Sequence, residues 1–160
     1  MIFDTDYPAV IAHAGFKIIR EELVMAKMDD RVKEIFQKRQ NVVLATASKE
    51  GIPNVVVVGA KKIINDETIL ISDQYFDKTL ANMKENPQAA VTVWDETEGY
   101  QIKGTATIET SGPRFEETAR WIEDLGKKFN LPLKSKGAVI LKITDIYTIS
   151  PGSNAGQKIA

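Results

Sequence analysis

Ser72-Asp73-Gln74-Tyr75-Phe76-Asp77-Lys78-Thr79-Leu80-Ala81-Asn82-Met83-Lys84-Glu85-Asn86-Pro87 follows the apolar run Ile69-Leu70-Ile71. The run reads as a strand, and the stretch after it as a turn into a short helix. Asp77 stands where a helix cap belongs, with its carboxylate available to a first-turn N–H that has no partner inside the helix. Lys78 and Thr79 then fall in the first turn. A lysine there opposes the helix dipole, so it suits a bare surface helix poorly and an anion at the helix start well. Two readings stand side by side: a surface helix with a solvated lysine, and a phosphate-gripping turn between strand and helix. Asn86-Pro87 ends the helix, because the residue before proline avoids helical geometry.

The segments on either side are strands at short spacing. Upstream, Asp29-Asp30 opens a helix with acidic residues at the favoured end, and Val32, Ile35 and Phe36 mark its buried face. Asn41 to Ala47 is a β-branched strand. Ser48-Lys49-Glu50-Gly51 turns it back into a second strand region, Pro53 to Ile64. That region holds the run Val55-Val56-Val57-Val58, whose continuous apolar character predicts burial on both faces. Gly59-Ala60 follows, with so little side chain that another group can approach the backbone. Lys61-Lys62 come next, and Asn65-Asp66 supplies a hairpin turn into Thr68–Ser72.

Downstream, Ala89 to Trp94 is a strand and Asp95 to Gly99 a polar turn. Tyr100 to Thr110 alternates apolar and polar residues, as a half-buried antiparallel strand does. Gly112-Pro113 introduces a long helix with Phe115, Ala119, Ile122, Leu125 and Phe129 on one face. Gly137 to Ile149 is the last strand, and Pro151 to Gly156 reads as a flexible tail. The six strands, joined mostly by tight turns, predict a mainly β chain: an antiparallel barrel with flanking helices rather than a doubly wound parallel sheet.

Composition bounds the chemistry. The chain has 160 residues, 43% hydrophobic and 27% charged, which is enough for one domain with a real core. Its 21 basic and 22 acidic residues give a net charge of -1. No basic excess points to nucleic acid or a membrane surface. The absence of cysteine removes disulfide, thiolate and iron–sulfur chemistry, and the single His13 cannot build a multi-histidine metal site. No apolar run approaches a membrane span, and the acidic N-terminus lacks a basic secretory start. The expectation is a cytoplasmic protein. Residues 1–28, with Phe16, Ile19, Leu23 and Val24 at helical spacing, are expected to form an N-terminal helical extension. It would lie on the domain 29–160 or on a partner subunit.

Taken in order, these pieces carry a resemblance: the strand Val42–Ala47, the Gly51 turn, Val55–Lys62, Ile69–Ser72, Lys78-Thr79-Leu80, Asn86-Pro87, Val91–Trp94 and Tyr100-Gln101-Ile102-Lys103-Gly104-Thr105-Ala106. The set resembles the FMN-binding split-barrel family, also called pyridoxamine 5'-phosphate oxidase-like. Within that family it is similar to the small FMN-binding proteins of bacteria and archaea.

The resemblance implies a six-stranded antiparallel split β-barrel and a homodimer with FMN at the subunit interface. It implies that the backbone of Val56, Val57, Val58, Gly59 and Ala60 meets the flavin ring, with Lys61 closing that strand. Ser72, Lys78 and Thr79 match the phosphate-holding positions. Gln101 matches a residue that reaches the flavin of the neighbouring subunit. No catalytic side chain is implied, since the cofactor carries the chemistry.

Two departures bear on the reaction. Asp77 stands where the oxidase has a phosphate-binding arginine, and no arginine follows Arg120 to form the oxidase's basic C-terminal segment. These point away from pyridoxamine phosphate oxidation and toward a flavin-dependent oxidoreductase or electron carrier. The alternative is a non-catalytic flavin-binding or sensor domain, or a split barrel holding coenzyme F420 or haem. At the level of residues, Lys61 and Lys62 also read as solvated hairpin charges, Trp94 and Trp121 as packing residues, Tyr100 as a barrel-surface residue and Gln101 as an outward strand residue.

Overall fold

The computed structural model describes residues 25–160. The elements in chain order are α1 (Asp30–Lys38), β1 (Val42–Ala47), β2 (Pro53–Val58), β3 (Lys61–Asn65), β4 (Thr68–Asp73), α2 (Lys78–Glu85), β5 (Gln88–Trp94), β6 (Gly99–Glu109), α3 (Pro113–Phe129) and β7 (Gly137–Thr148). All seven strands join one antiparallel sheet in the order β2-β1-β5-β6-β7-β4-β3.

The strand count is seven rather than six because the region Pro53 to Ile64 is broken at Gly59-Ala60. Its halves, β2 and β3, lie at opposite edges of the sheet. Only two residues separate them in the chain, so the sheet must curl until its edges approach each other. That curl is the split barrel. The break is stitched to the neighbouring strand by Ser72 N–H, which donates to the Ala60 carbonyl at 3.0 Å. A register shift between Lys103 and Gly104, where β6 meets β7, adds local bend. A side chain at Gly104 would sit 2.2 Å from the Lys142 carbonyl oxygen, so only glycine fits that bulge.

Inward-facing residues fill the barrel. Leu44, Ile69, Ile71, Val91, Ile102, Ile143 and Ile146 are all at most 1% exposed. Helix α1 adds Val32, Ile35 and Phe36 to this core, and its start is capped by Asp29 Oδ1, which accepts from Val32 N–H at 2.8 Å. Helix α3 lies against the outer side of β7 and β4, where Trp121 packs on Leu70, Ala138 and Ile140. Its fully buried stripe is Thr118, Ile122 and Gly126, flanked by Phe115, Ala119 and Leu125; Phe129, expected on that face, is 59% exposed. The helix stops at Asn130, left-handed at φ 53°, with Leu131 N–H returning to the Gly126 carbonyl.

Four expectations are corrected. Val55 and Val57 are 61% and 68% exposed, so the valine run is not buried on both faces. Strand β2 is an edge, and among the described residues no helix covers its outer side. Asp77 makes no side-chain cap to α2; the carboxylate that organises this turn is Asp73, which accepts from Phe76 N–H at 2.9 Å. The C-terminal stretch is not a loose tail. Ile159 N–H donates to the Ile146 carbonyl, Ile146 N–H donates to the Ala160 carbonyl, and Lys158 pairs with Asp145 at 2.7 Å. Finally, Met25 to Met28 are non-helical, with Ala26 and Met28 N–H groups donating to the carbonyls of Ile143 and Asp66. The rest of the expected N-terminal helix lies outside the described residues. No helix among the described residues is long and apolar enough to cross a membrane.

Candidate functional site

A cleft of about 820 Å³ opens beside the break between β2 and β3. One wall is the β2 backbone and its continuation, Val56, Val57, Val58, Gly59 and Ala60, with Ser72 from the end of β4 beside it. The volume lies within the range of about 300–1,000 Å³ common for small-molecule and cofactor sites. Sequence determines this wall directly: the valines supply flat apolar surface, and Gly59-Ala60 keeps the backbone uncovered.

Gln40 and Asn41, between α1 and β1, close the cleft on one side. The Asn41 side chain rests against Gly59, where a Cβ would lie 3.1 Å from Asn41 Oδ1. The opposite wall is apolar and comes from a distant part of the chain. It consists of Leu125 and Phe129 at the end of α3, Leu131 and Leu133 just beyond it, and Tyr75 and Phe76 from the β4–α2 turn. None of these was expected at the site. The only trace in the sequence is that Leu131 and Leu133 place large apolar side chains just past a helix end, where nothing in the helical pattern requires them.

The polar end is built by a chain of side chains. Ser72 Oγ donates to Ser135 Oγ at 2.9 Å, and Ser135 Oγ donates to the Gly137 carbonyl at 3.0 Å. Helix α2 is docked on the start of β2 and the end of β1 by amide side chains. Asn54 Nδ2 donates to Thr79 Oγ1 at 2.9 Å, Asn82 Nδ2 to Thr46 Oγ1 at 3.1 Å, and Asn86 Nδ2 to the Ala47 carbonyl at 3.2 Å. Thr79 is 1% exposed, so this bond fixes a buried hydroxyl at the start of α2. Because Asp77 does not cap that helix, its first-turn N–H groups keep their capacity to bind an anion.

Of the ten residues expected at the site, Val56 to Ala60 and Ser72 line one cleft. The other four do not line it. Lys78 is exposed at the first position of α2, and Thr79 is held under it. Lys61 turns away: its Nζ donates to the Phe36 carbonyl at 2.6 Å and lies 4.4 Å from the Phe36 ring centroid. Burial pushes that ammonium below the ordinary lysine value. Gln101 sits on the outer face of the sheet. It is in register with Thr92, which pairs with Val43, which pairs with Val57.

Trp121 is a packing residue, with Lys62 Nζ 4.0 Å from its ring centroid. Tyr100 is buried rather than on the surface, and its hydroxyl donates to Glu98 at 2.6 Å. Burial, with that carboxylate, raises its pKa to about 12. Trp94 is 46% exposed.

The comparisons with known proteins bear on the family and the fold. The family model for pyridoxamine 5'-phosphate oxidase matches residues 28–150. An uncharacterized protein of Methanocaldococcus jannaschii is 38% identical over 147 residues, 90% of this chain and 95% of that protein. The haem oxygenase HutZ of Vibrio cholerae serotype O1 is 28% identical over 85 residues, 52% of this chain and 47% of that protein. The crystal structure of an FMN-binding protein from Syntrophomonas wolfei subsp. wolfei superposes with a TM-score of 0.62 at 24% identity, over 74% of this chain and 82% of that one. The curled sheet broken at Gly59-Ala60, and a family match spanning most of the chain, lead to one conclusion: the chain belongs to the pyridoxamine 5'-phosphate oxidase-like FMN-binding split-barrel family.

Proposed function

We propose that the cleft holds FMN and that the protein acts through it, as an oxidoreductase or electron-transfer protein, in a homodimer. The observation that carries this reading is the cleft itself, which runs along the Val56–Ala60 backbone with Ser72 at its wall. The residues present suit the cofactor. An isoalloxazine ring needs a flat apolar slot beside backbone N–H groups, and Val56 to Ala60 offer it. A phosphate needs a hydroxyl, a cation and free helix amides: Ser72 offers the first at the cleft wall, and the exposed Lys78 and the uncapped start of α2, above the buried Thr79, offer the others from outside its lining.

Bound FMN supplies one- and two-electron chemistry; the chain's own residues bind, orient and exclude water. Phe76, Phe129, Leu131 and Leu133 would cover the slot, and Asn41 would hold the Gly59 edge. The homodimer reading rests on the outer face of the sheet. Val57, Val43, Thr92, Gln101 and Tyr147 line up there across five strands, and Val55 and Val57 stand in water. A second copy on that face would cover the valines and bring its Gln101 toward this chain's slot.

The haem oxygenase relative raises haem as another occupant. The chain has no cysteine, and its one histidine, His13, is outside the described residues. A haem in this cleft would therefore lack both of its commonest nitrogen and sulfur ligands from residues 25–160.

An FMN titration followed by flavin fluorescence quenching tests the proposal. Saturable one-to-one quenching per chain is expected, and its absence would overturn the reading. Lys78→Ala should weaken FMN roughly tenfold, the scale of one lost charge-assisted hydrogen bond, and leave riboflavin, which has no phosphate, unchanged.

A further inference from the structure

Next to the cleft lies a second, smaller depression of about 240 Å³, lined by Arg39, Gln40, Asn41 and Trp94. Gln40 and Asn41 line both cavities, so the two share part of their walls. Arg39 is the residue at which α1 ends, and Trp94 closes β5. The two are latched together, because Arg39 Nε donates to the Trp94 carbonyl. That bond uses one donor of the guanidinium fork. Among the described residues, the two terminal amino groups make no further hydrogen bond and meet no carboxylate within ion-pair distance. The nearby acids of the β5–β6 turn, Asp95 and Glu98, pair with Arg31 instead. Trp94 is 46% exposed and lines the same depression as Arg39.

A fixed arginine with unused, coplanar donors recognises carboxylate or phosphate, and an exposed indole recognises a flat ring. We propose that this depression is a binding site for a planar aromatic anion, its ring against Trp94 and its anionic group on Arg39. It would be the diffusible redox partner of whatever occupies the main cleft. The identity of the partner's role rests on the FMN reading above; the binding site does not. Asn41, which lines both cavities, rests against Gly59 of the main cleft, where a Cβ would lie 3.1 Å from its Oδ1. A ring seated against Trp94 would share the Gln40–Asn41 wall with the slot beside Val56–Ala60.

The test uses 2-naphthoate as the planar anion and 2-naphthalenemethanol as its uncharged counterpart. The readout is the indole N–H resonance of Trp94, one of two tryptophans in the chain, assigned with Trp94→Phe. Titrations are run on the whole protein with and without added FMN. The site predicts saturable shifts of the Trp94 resonance by 2-naphthoate, with the Trp121 resonance still. Arg39→Gln should weaken 2-naphthoate roughly tenfold, the equivalent of one charge-assisted bond, and leave the weak response to 2-naphthalenemethanol unchanged.

Equal affinity in wild type and Arg39→Gln, or no saturable shift, overturns the proposal. So does displacement of 2-naphthoate by FMN in simple competition, which would make the depression part of the cofactor site. If FMN does not bind at all, the cofactor reading fails while the Trp94 response still decides this one. An Arg39→Gln chain that does not fold is replaced by Arg39→Lys, which keeps the charge but not the fork and should show an intermediate loss.

Discussion

Two apolar runs in this chain look alike and are buried differently. In Gly137-Ala138-Val139-Ile140-Leu141, at the start of β7, every residue is buried. In Val55-Val56-Val57-Val58, the residues alternate: Val58 is 5% exposed, while Val55 and Val57 are more than half exposed. The inward sides match, since Val139, Leu141 and Val58 all enter the barrel core. The outward sides differ because α3 lies over Ala138 and Ile140, with Trp121 closing the contact, and among the described residues no helix lies over Val55 and Val57. A continuous apolar run thus reports that a strand needs two covers. It does not say that both covers belong to the same chain. For β7 the second cover is α3; for β2 the proposed second cover is another copy.

The largest effect should come from the side covered within the chain. Ile140 is 3% exposed under α3, and Ile140→Ala should cost about 2–5 kcal/mol of unfolding free energy. Urea unfolding at a concentration where the subunit state does not change checks this. A loss below about 1 kcal/mol would mean that α3 does not hold its place on the sheet. Next comes the other side. Val57→Asp should leave the fold of the single chain intact, because the side chain is already in water. In the proposed homodimer it buries a charge against an apolar face, which should weaken association by about a hundredfold or more. Sedimentation across a concentration series reads this out. Wild-type chains that stay monomeric at micromolar concentration would remove the second cover from the comparison altogether.

The same contrast explains what could be read from the sequence. Strand and helix positions follow from local pattern: β-branched runs, alternation in Tyr100–Thr110, and the Asn86-Pro87 stop all fall where the structure puts them. The main wall of the cleft is legible for a similar reason, because Val56 to Ala60 and Ser72 are close in the chain and their residue types are distinctive. Three features are not legible. That Pro53 to Ile64 forms two strands follows from sheet closure, which no local signal carries. That Leu131, Leu133 and Phe129 line the cleft depends on where α3 docks, about fifty residues or more away from β4 in sequence. That Asp73 rather than Asp77 takes the turn amide depends on the backbone path out of β4, since both carboxylates are placed well enough by spacing alone. The C-terminal residues differ from their local pattern for a related reason. Gly, Ser and Asn in sequence signal turns, and here those turns return Ile159 to the edge of Ile146.

A third fastening differs from both runs and should respond to acid rather than to cavity formation. The turn after β5 is held by Asp95 Oδ1, which accepts from the N–H groups of Thr97 and Glu98 at 2.8 and 3.0 Å. Those bonds, Thr97 first, with Arg31 nearby, bring the Asp95 pKa down to about 2. Glu98 is lowered as well, chiefly by its bond from Arg31 on α1. Both carboxyls hold protons less tightly folded than unfolded. Their contribution is therefore complete above the ordinary carboxylate range and is lost as pH falls from roughly 5 toward 2. Asp95→Asn keeps an oxygen that can accept from the same backbone amides but removes the titration. Its urea midpoint should fall less steeply between those pH values than that of the wild type. Ile140→Ala should instead lower the midpoint at every pH without changing that slope, since no proton is linked to a cavity. Parallel acid slopes for wild type and Asp95→Asn would mean that the turn does not share in the fold's stability. The effect is the smallest of those argued here, because both carboxyls lie near the surface, where water and salt screen them.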